Sequence, residues 1–395
     1  MVETIEDALR KDGLKRSEIA ILYRSNAQSR VLEEALLREK IPYRIYGGQR
    51  FFERAEIKNA MAYLRLLDGR GNDAALERVI NVPARGIGEK SVEAIREYAR
   101  AHDVSMWGAI NLMVAAKALP ARASGALAGF IELINNLSAK ALDMSLHLMT
   151  QTVIEQSGLI AYHQAEKGEK AQARIENLEE LVSAARTFEN NEDDELSPLQ
   201  AFLSHASLEA GDTQAAENED SVQLMTLHSA KGLEFPQVFL VGMEEGLFPH
   251  KMSLEEPGRL EEERRLAYVG ITRAMSKLVI TYAETRRLYG SETYNKVSRF
   301  VREIPPQLIQ EVRLSNSVSR PFGAVSRNMG GDNMFAGSAV PDTGFNLGQR
   351  VQHSLFGEGT ILNFEGSGAQ ARVQVNFESE GSKWLMLSYA KLEAL

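Results

Sequence analysis

The pattern that most constrains this chain is an interruption. Near the start, EIAILYRSN from Glu18 and IPYRIYGG from Ile41 read as short apolar strands, with the helical run SRVLEEALLREK from Ser29 between them. Strand patterns return only after Ser221, first in VQLMT from Val222 and later in KLVITYA from Lys277. For about 170 residues in between, helical spacing persists, as in EIKNAMAYLRLL from Glu56, SVEAIREYAR from Ser91, ALAGFIELINNLSAK from Ala126 and RIENLEELVSAARTF from Arg174. The simplest architecture is an α/β sheet interrupted by a helical insertion. At the beginning, Val2, Ile5 and Leu9 share one helical face and Gly13 can end that helix, so the chain is expected to start inside a fold.

Beyond this core the pattern changes character. NNEDDELSP from Asn190 and AGDTQAAENED from Ala210 read as polar loops, and residues 312–343 are rich in Ser, Asn, Gly and Pro, as a flexible linker would be. From Leu347 the chain alternates apolar and polar residues between glycine turns, which predicts a small β-barrel of four or five strands. A length of 395 residues accommodates two or three domains. The formal net charge of −9 argues against a protein that wraps DNA by bulk charge, so any nucleic-acid contact must be a local groove or loop. With no cysteine there is no disulfide or thiolate metal site. No apolar run reaches membrane-spanning length, and MVETIEDALRKDG lacks a signal-peptide core, so a cytoplasmic location is expected.

Chemistry concentrates between Val222 and Ala274. In VQLMTLHSAKGLEF a strand runs into a loop carrying Thr226, His228, Ser229, Lys231 and Glu234; in EEERRLAYVGITRA a helix runs into Thr272 and Arg273. Such polar groups at strand ends are where open parallel sheets put ligands. RGIGEKS from Arg85 sits between two helical patterns, and its glycines allow a close approach to phosphate, though a plain helix–helix turn reads the same way. VFLVGMEEG from Val238 superficially resembles a magnesium-binding strand end with Glu244 and Glu245, but no G-x-x-x-x-G-K-[ST] phosphate loop occurs in the sequence.

TLHSAKGLEF and AYVGITRA are similar to motifs V and VI of superfamily 1 DNA helicases of the UvrD/PcrA (helicase II) type, and YRSN from Tyr23 resembles motif IV. GGQRFFERAEIKNA from Gly47 also resembles a family motif, with Phe51 and Phe52 expected to pack at a domain junction. The likeness extends over essentially the whole chain, but only to the C-terminal half of that family. It implies an α/β RecA-like domain 2A in two parts (1–47 and 218–311), interrupted by a helical insertion domain 2B (48–217). A flexible linker (312–343) and a small Tudor-like β-barrel (344–395) would follow.

The same resemblance implies residue roles. Arg273 would be the catalytic arginine that meets charge on a transferred phosphoryl group, reaching across from a second domain. The alternative is a helix C-terminal arginine answering the dipole. Glu234 would bind the nucleotide ribose, or be a solvated loop carboxylate, with Gly232 allowing the tight turn. Thr226, His228, Ser229 and Lys231, with Arg24 and Asn26 of the motif IV stretch, are candidates for single-stranded DNA. Arg24 could equally face the nucleotide interface. Gly86, Ile87, Gly88 and Lys90 form a candidate duplex contact. Phe356, Trp384 and Tyr389 could line a recognition surface on the barrel or fill its core. No metal site is expected in this chain; ATP and Mg2+ would be held mainly by N-terminal helicase domains absent from it.

The function implied is that of the C-terminal portion of an ATP-dependent 3′-5′ DNA helicase in DNA repair, nucleotide excision repair included, inactive alone. It would meet single-stranded and junction DNA, and RNA polymerase or repair proteins through the barrel. The alternative is a regulatory fragment that binds DNA junctions and proteins without hydrolysing anything. A helicase-nuclease subunit ranks lower, since the chain ends in a linker and barrel without a carboxylate-rich nuclease segment.

Overall fold

The computed structural model describes residues 1–166, 168–188, 196–211, 215, 219–254, 258–288, 291–312, 349–354, 356–365, 372–377, 381–386, 390 and 392–394. They form two compact units, Met1–Phe300 and Val301–Leu395.

The first unit opens with α1 (Val2–Arg10), β1 (Ile19–Tyr23), α2 (Ser29–Arg38) and β2 (Tyr43–Ile45). A helical run follows: α3 (Ala55–Asp68), α4 (Asp73–Val79), α5 (Glu89–His102), α6 (Met106–Ala115), α7 (Ala121–Ala141), α8 (Leu146–Gln156), α9 (Leu159–Ala165), α10 (Glu169–Thr187) and α11 (Pro198–Gly211). The chain then returns through β3 (Val222–Thr226), β4 (Phe235–Leu240), α12 (Arg259–Ile271), β5 (Ala274–Ile280), the hairpin β6 (Thr285–Leu288) and β7 (Ser291–Tyr294), and α13 (Arg299–Arg302).

The strands on either side of the helical run interleave. The sheet order is β2-β3-β1-β4-β5, and every neighbouring pair is parallel. β1 sits in the middle with Ile21 opposite both Leu224 and Phe239, and every residue of it is buried, as a central parallel strand requires. Its continuous apolar run, rather than an alternating one, follows from that position. Ile5, Ile21, Leu36, Leu224 and Phe239 share one apolar cluster, so neither half of the interrupted domain completes the core without the other. Fully burying each such side chain contributes roughly 1.5–3 kcal/mol. The last strand, β5, begins three residues before the apolar run at Lys277 and is the least covered, with only β4 beside it.

The helical run has its own core, from Ile57 and Tyr63 through Phe130 to Leu181 and Phe202. Side-chain caps fix helix starts: Asn72 accepts from the Ala75 amide at 3.0 Å and Ser105 from that of Gly108 at 3.2 Å. Phe51 and Phe52 are buried in this core, with Phe52 edge-on to Phe202 at 6.4 Å.

Between sheet and helices lies a buried polar network. Arg54 donates to the Asn26 carbonyl (2.9 Å), Asn177 Oδ1 (2.9 Å) and Ser29 Oγ (2.6 Å). Ser29 Oγ donates to Glu33 at 2.6 Å, and Glu33 also accepts from the Phe51 amide at 3.2 Å. Arg30 Nε reaches Glu180 of α10 at 2.6 Å, and Ser25 bonds Glu176 of the same helix. Burial by itself would push the Glu33 carboxyl upward, and it does so despite the opposing bonds from Ser29 and the Arg54 charge.

The second unit contains β8 (Arg350–His353), β9 (Gly357–Glu365), β10 (Arg372–Phe377), β11 (Gly381–Met386) and β12 (Leu392–Ala394). They form an antiparallel sheet in the order β11-β10-β9-β8-β12 around Val351, Ile361, Val373, Val375 and Phe377. Gly359 is required there: a Cβ would lie 2.7 Å from the Phe377 side chain and 2.8 Å from the Asn376 carbonyl. Phe356 packs on this core, stacked on His353 at 4.7 Å, whereas Trp384 is half-exposed beside Met386's exposed side chain. Tyr389 and the linker residues 313–343 lie outside the described residues, as do most of the two polar loops from Asn190 and Ala210. Among the described residues no helix is long and apolar enough to cross a membrane.

Candidate nucleotide and DNA interface

The loop between β3 and β4 has to cross the domain. Both strands run parallel to β1, so Thr226 ends at the carboxyl edge of the sheet and Phe235 begins at the amino edge. Residues Leu227 to Glu234 span that width, about 15–20 Å for strands of this length. The polar groups of this stretch therefore divide between two edges.

At the carboxyl edge, Leu227's amide donates to the Tyr23 carbonyl (2.9 Å) and Ala230's to that of Thr226 (3.1 Å), folding the chain into a tight turn. The Thr226 and Ser229 hydroxyls are 3.1 Å apart, and the Ser229 amide donates to Thr226 Oγ1 at 3.3 Å. Gly47, after β2, comes up against this turn; a Cβ there would sit 3.7 Å from Ser229 Oγ. His228 and Lys231 are exposed. Gly232 has φ +85°, a backbone conformation that glycine adopts at little cost, and it turns the chain toward the amino edge.

There Glu234 is exposed and Arg273 half-buried. Arg273 follows the end of α12. Its Nη1 donates to the Leu233 carbonyl at 2.8 Å, Nε to the Val269 carbonyl at 3.1 Å and Nη2 to Thr272 Oγ1 at 3.1 Å. The Phe235 amide donates to the Arg273 carbonyl at 2.9 Å. The bond to Val269 is the interaction of a cation with helix-terminal carbonyls. Of the guanidinium's five N–H groups these bonds use three, leaving one on each Nη. Tyr268 and Met275, which bracket Arg273 in sequence, are exposed to 69% and 65%.

Arg24, one residue beyond β1, is committed within the chain. Its Nε lies 3.0 Å from both Glu263 oxygens and its Nη2 2.7 Å from Oε1. Glu263 is buried in α12 and also accepts the His250 amide at 3.2 Å. The end of β1 is thereby tied to the helix that leads to Arg273. Sequence reasoning passed over Glu263; the available signal was an acid on the inward face of an otherwise regular helix. Asn26 contributes its carbonyl to Arg54.

The RGIGEKS turn belongs to the helical run, between α4 and the start of α5. Asn81 Oδ1 accepts the Arg85 amide (2.7 Å) and the Ile87 amide (3.3 Å), and buried Ile87 anchors the turn. Gly86, at φ +78°, Gly88 and Lys90 face solvent, with Gly88 at the N-terminus of α5. Arg85 is structural: it donates to the Val79, Pro83 and Ser157 carbonyls and to the Tyr63 hydroxyl. Glu244 and Glu245 are likewise structural. Glu244 accepts from the Ala283 amide and Asn295, and Glu245 holds Arg299, a donor set that leaves no fit for Mg2+.

Fold and site together define the class: a parallel α/β domain with a helical run set into it and a site on its edge, followed by a small antiparallel sheet. Residues 1–285 match the family described as the UvrD-like helicase C-terminal domain, and residues 347–393 match the PcrA/UvrD tudor domain. The chain belongs to the UvrD-like helicase C-terminal family. It is 60% identical over 385 residues to DNA helicase II of Escherichia coli K12, covering 97% of this chain and 52% of that protein. It is 52% identical to DNA helicase II of Haemophilus influenzae, and 39% identical over 401 residues to the ATP-dependent DNA helicase PcrA of Bacillus subtilis, again spanning 52% of each. The chain thus spans about half the length of the curated relatives it matches.

Proposed function

We propose that the chain works as the C-terminal portion of an ATP-dependent 3′-5′ DNA helicase acting in DNA repair in the cytoplasm, and that it hydrolyses ATP only with a domain carrying the phosphate loop. The observation that carries this reading is the pair of bonds joining the end of the crossing loop to Arg273. They place an exposed carboxylate, Glu234, in the same short segment that holds a guanidinium with two N–H groups to spare. That donor set fits one wall of a nucleotide site. Glu234 accepts ribose hydroxyls, Gly232 shapes the turn, and Arg273 meets the charge on the γ-phosphoryl group. ATP with Mg2+ supplies the transferable phosphoryl group, and the metal's ligands belong to the other wall. The exposed Tyr268 and Met275 are apolar surface for that second domain to cover.

At the opposite edge, Thr226, His228, Ser229 and Lys231 grip the backbone of single-stranded DNA without reading its sequence. The crossing loop runs from this grip to Leu233, whose carbonyl accepts from Arg273 at 2.8 Å. Asn26 lies on the same edge, and Arg24 acts by tethering β1 to α12. In the helical insertion, domain 2B in the family's terms, Gly86, Ile87, Gly88 and Lys90 present amides and a cation to duplex phosphates. The half-exposed Trp384 of the tudor-type sheet offers the contact for a protein such as RNA polymerase or a repair factor.

Supplying the N-terminal half of E. coli DNA helicase II as a separate polypeptide tests the polarity. The mixture is expected to unwind a duplex with a 3′ single-stranded tail and to leave a 5′-tailed duplex paired. Equal unwinding of both, or hydrolysis without any unwinding, contradicts the reading.

A further inference from the structure

Where the helical run rejoins the sheet domain, α11 lies beside α2 across a cavity of about 340 Å³. Three metal-ligating side chains meet on its wall: Glu34 from α2, and His205 and Glu209 from α11. Their donor atoms all lie within 4.8 Å of one another. His205 and Glu209 are one helical turn apart, so both project from the same face, and His205 Nε2 is 3.4 Å from Glu209 Oε1. Tetrahedral ligation at about 2.0–2.1 Å sets donors about 3.3–3.4 Å apart, so this pair already has the required spacing. Glu34, paired with Arg30, lies within the same 4.8 Å and would have to rotate toward the pair to complete the set.

Two further features suit a cation. The His205 ring rests against Phe188, 5.4 Å between centroids, which limits the ring's freedom. Arg30 and Arg38 line the cavity with Glu34 and Glu209, and Arg30 is divided between Glu34 and Glu180, so it does not neutralise Glu34 alone.

We propose that Glu34, His205 and Glu209 form a divalent transition-metal site that clamps the returning end of the helical insertion to α2. One imidazole with two carboxylates is a ligand set for Zn2+, Co2+ or Mn2+, and its half-open setting leaves a position for water. The ion ties α11, the last helix before the chain re-enters the sheet, to the helix that precedes the insertion. It thereby fixes the joint about which the insertion is carried. Nothing in this proposal depends on the helicase reading.

Calorimetric titration of the chelator-treated full chain with Zn2+, paralleled by the visible spectrum with Co2+, tests it. The expected result is one equivalent bound, a raised melting temperature, and d–d bands of a nitrogen–oxygen site. His205→Ala is expected to abolish the stoichiometric site, and Glu34→Gln to weaken it at least tenfold, with both apo variants melting as the wild type does. Should His205→Ala disturb folding, Glu34→Gln alone carries the test. Stoichiometric binding that survives in either variant unchanged, or no binding by the wild type, overturns the proposal.

Discussion

Arg273 Nη1 donates to the Leu233 carbonyl at 2.8 Å, so the arginine ending one motif is held by the backbone of the other. That bond orients a planar, always-charged group while leaving donors free. Arg273→Lys keeps the charge but cannot span Leu233, Val269 and an incoming phosphoryl oxygen together. In the reconstituted enzyme, steady-state ATP turnover is expected to fall by roughly 10³-fold or more, while melting shows a loss of only about 1 kcal/mol from the missing internal bonds.

Lys231 is exposed at the turn that follows Ser229. As a phosphate contact it would release counterions from a single strand, so Lys231→Ala is expected to lower the salt dependence of binding by about 0.7 in the log–log slope. Measured by fluorescence anisotropy across a salt series, the loss should be the same for oligonucleotides of different sequence. A loss that depends on sequence would assign Lys231 to base recognition instead.

Arg54 is the hub of the junction network, buried and bonded to Asn26, Ser29 and Asn177. Removing it takes one of the two cations beside Glu33, leaving only Arg50 at 3.8 Å, and withdraws the donor from Asn177 Oδ1. Arg54→Met is expected to destabilise the first unit by roughly 3–5 kcal/mol in denaturant melts. The exposed Arg10–Asp7 pair is the contrast: Arg10→Ala should leave the melt in place.

His163 is buried in α9 with Nδ1 3.5 Å from Glu166, and its pKa is lowered, first by burial, against the pull of Glu166. The folded protein therefore holds it neutral where the unfolded chain, near the ordinary value of about 6.5, takes up a proton. The unfolded state binds more protons in that window, so stability falls as pH drops below 6.5 toward the folded-state value. His163→Leu should abolish this component. The stability of the variant relative to wild type is expected to rise between pH 7 and pH 5, and a pH-independent difference would contradict the assignment.

Much of the fold was legible because periodicity is a local property. The fully apolar run Ile19–Tyr23 announced a strand, and the long stretch of helical spacing announced the insertion. The interleaving of β1 between β3 and β4 was not legible, since strand order is a property of the whole sheet. For the same reason Glu234 and Arg273 sit at the amino edge, away from the carboxyl edge where ligands of open sheets were expected. Arg24 read as a ligand-facing cation because its partner, Glu263, lies 239 residues away and nothing local marks the pair. Glu34 meets His205 and Glu209 only because α11 folds back on α2.

The central claim is that this chain forms one wall of a nucleotide site and another domain the second. ATP turnover by the purified chain, with and without single-stranded DNA and then with a separately expressed N-terminal half of E. coli DNA helicase II, tests it most directly. The account predicts no turnover by the chain alone, DNA-stimulated turnover on mixing, and its loss with Arg273→Ala. Robust DNA-stimulated turnover by the chain alone would contradict it, because the chain would then hold a complete phosphate site and Arg273 would not be completing one from outside.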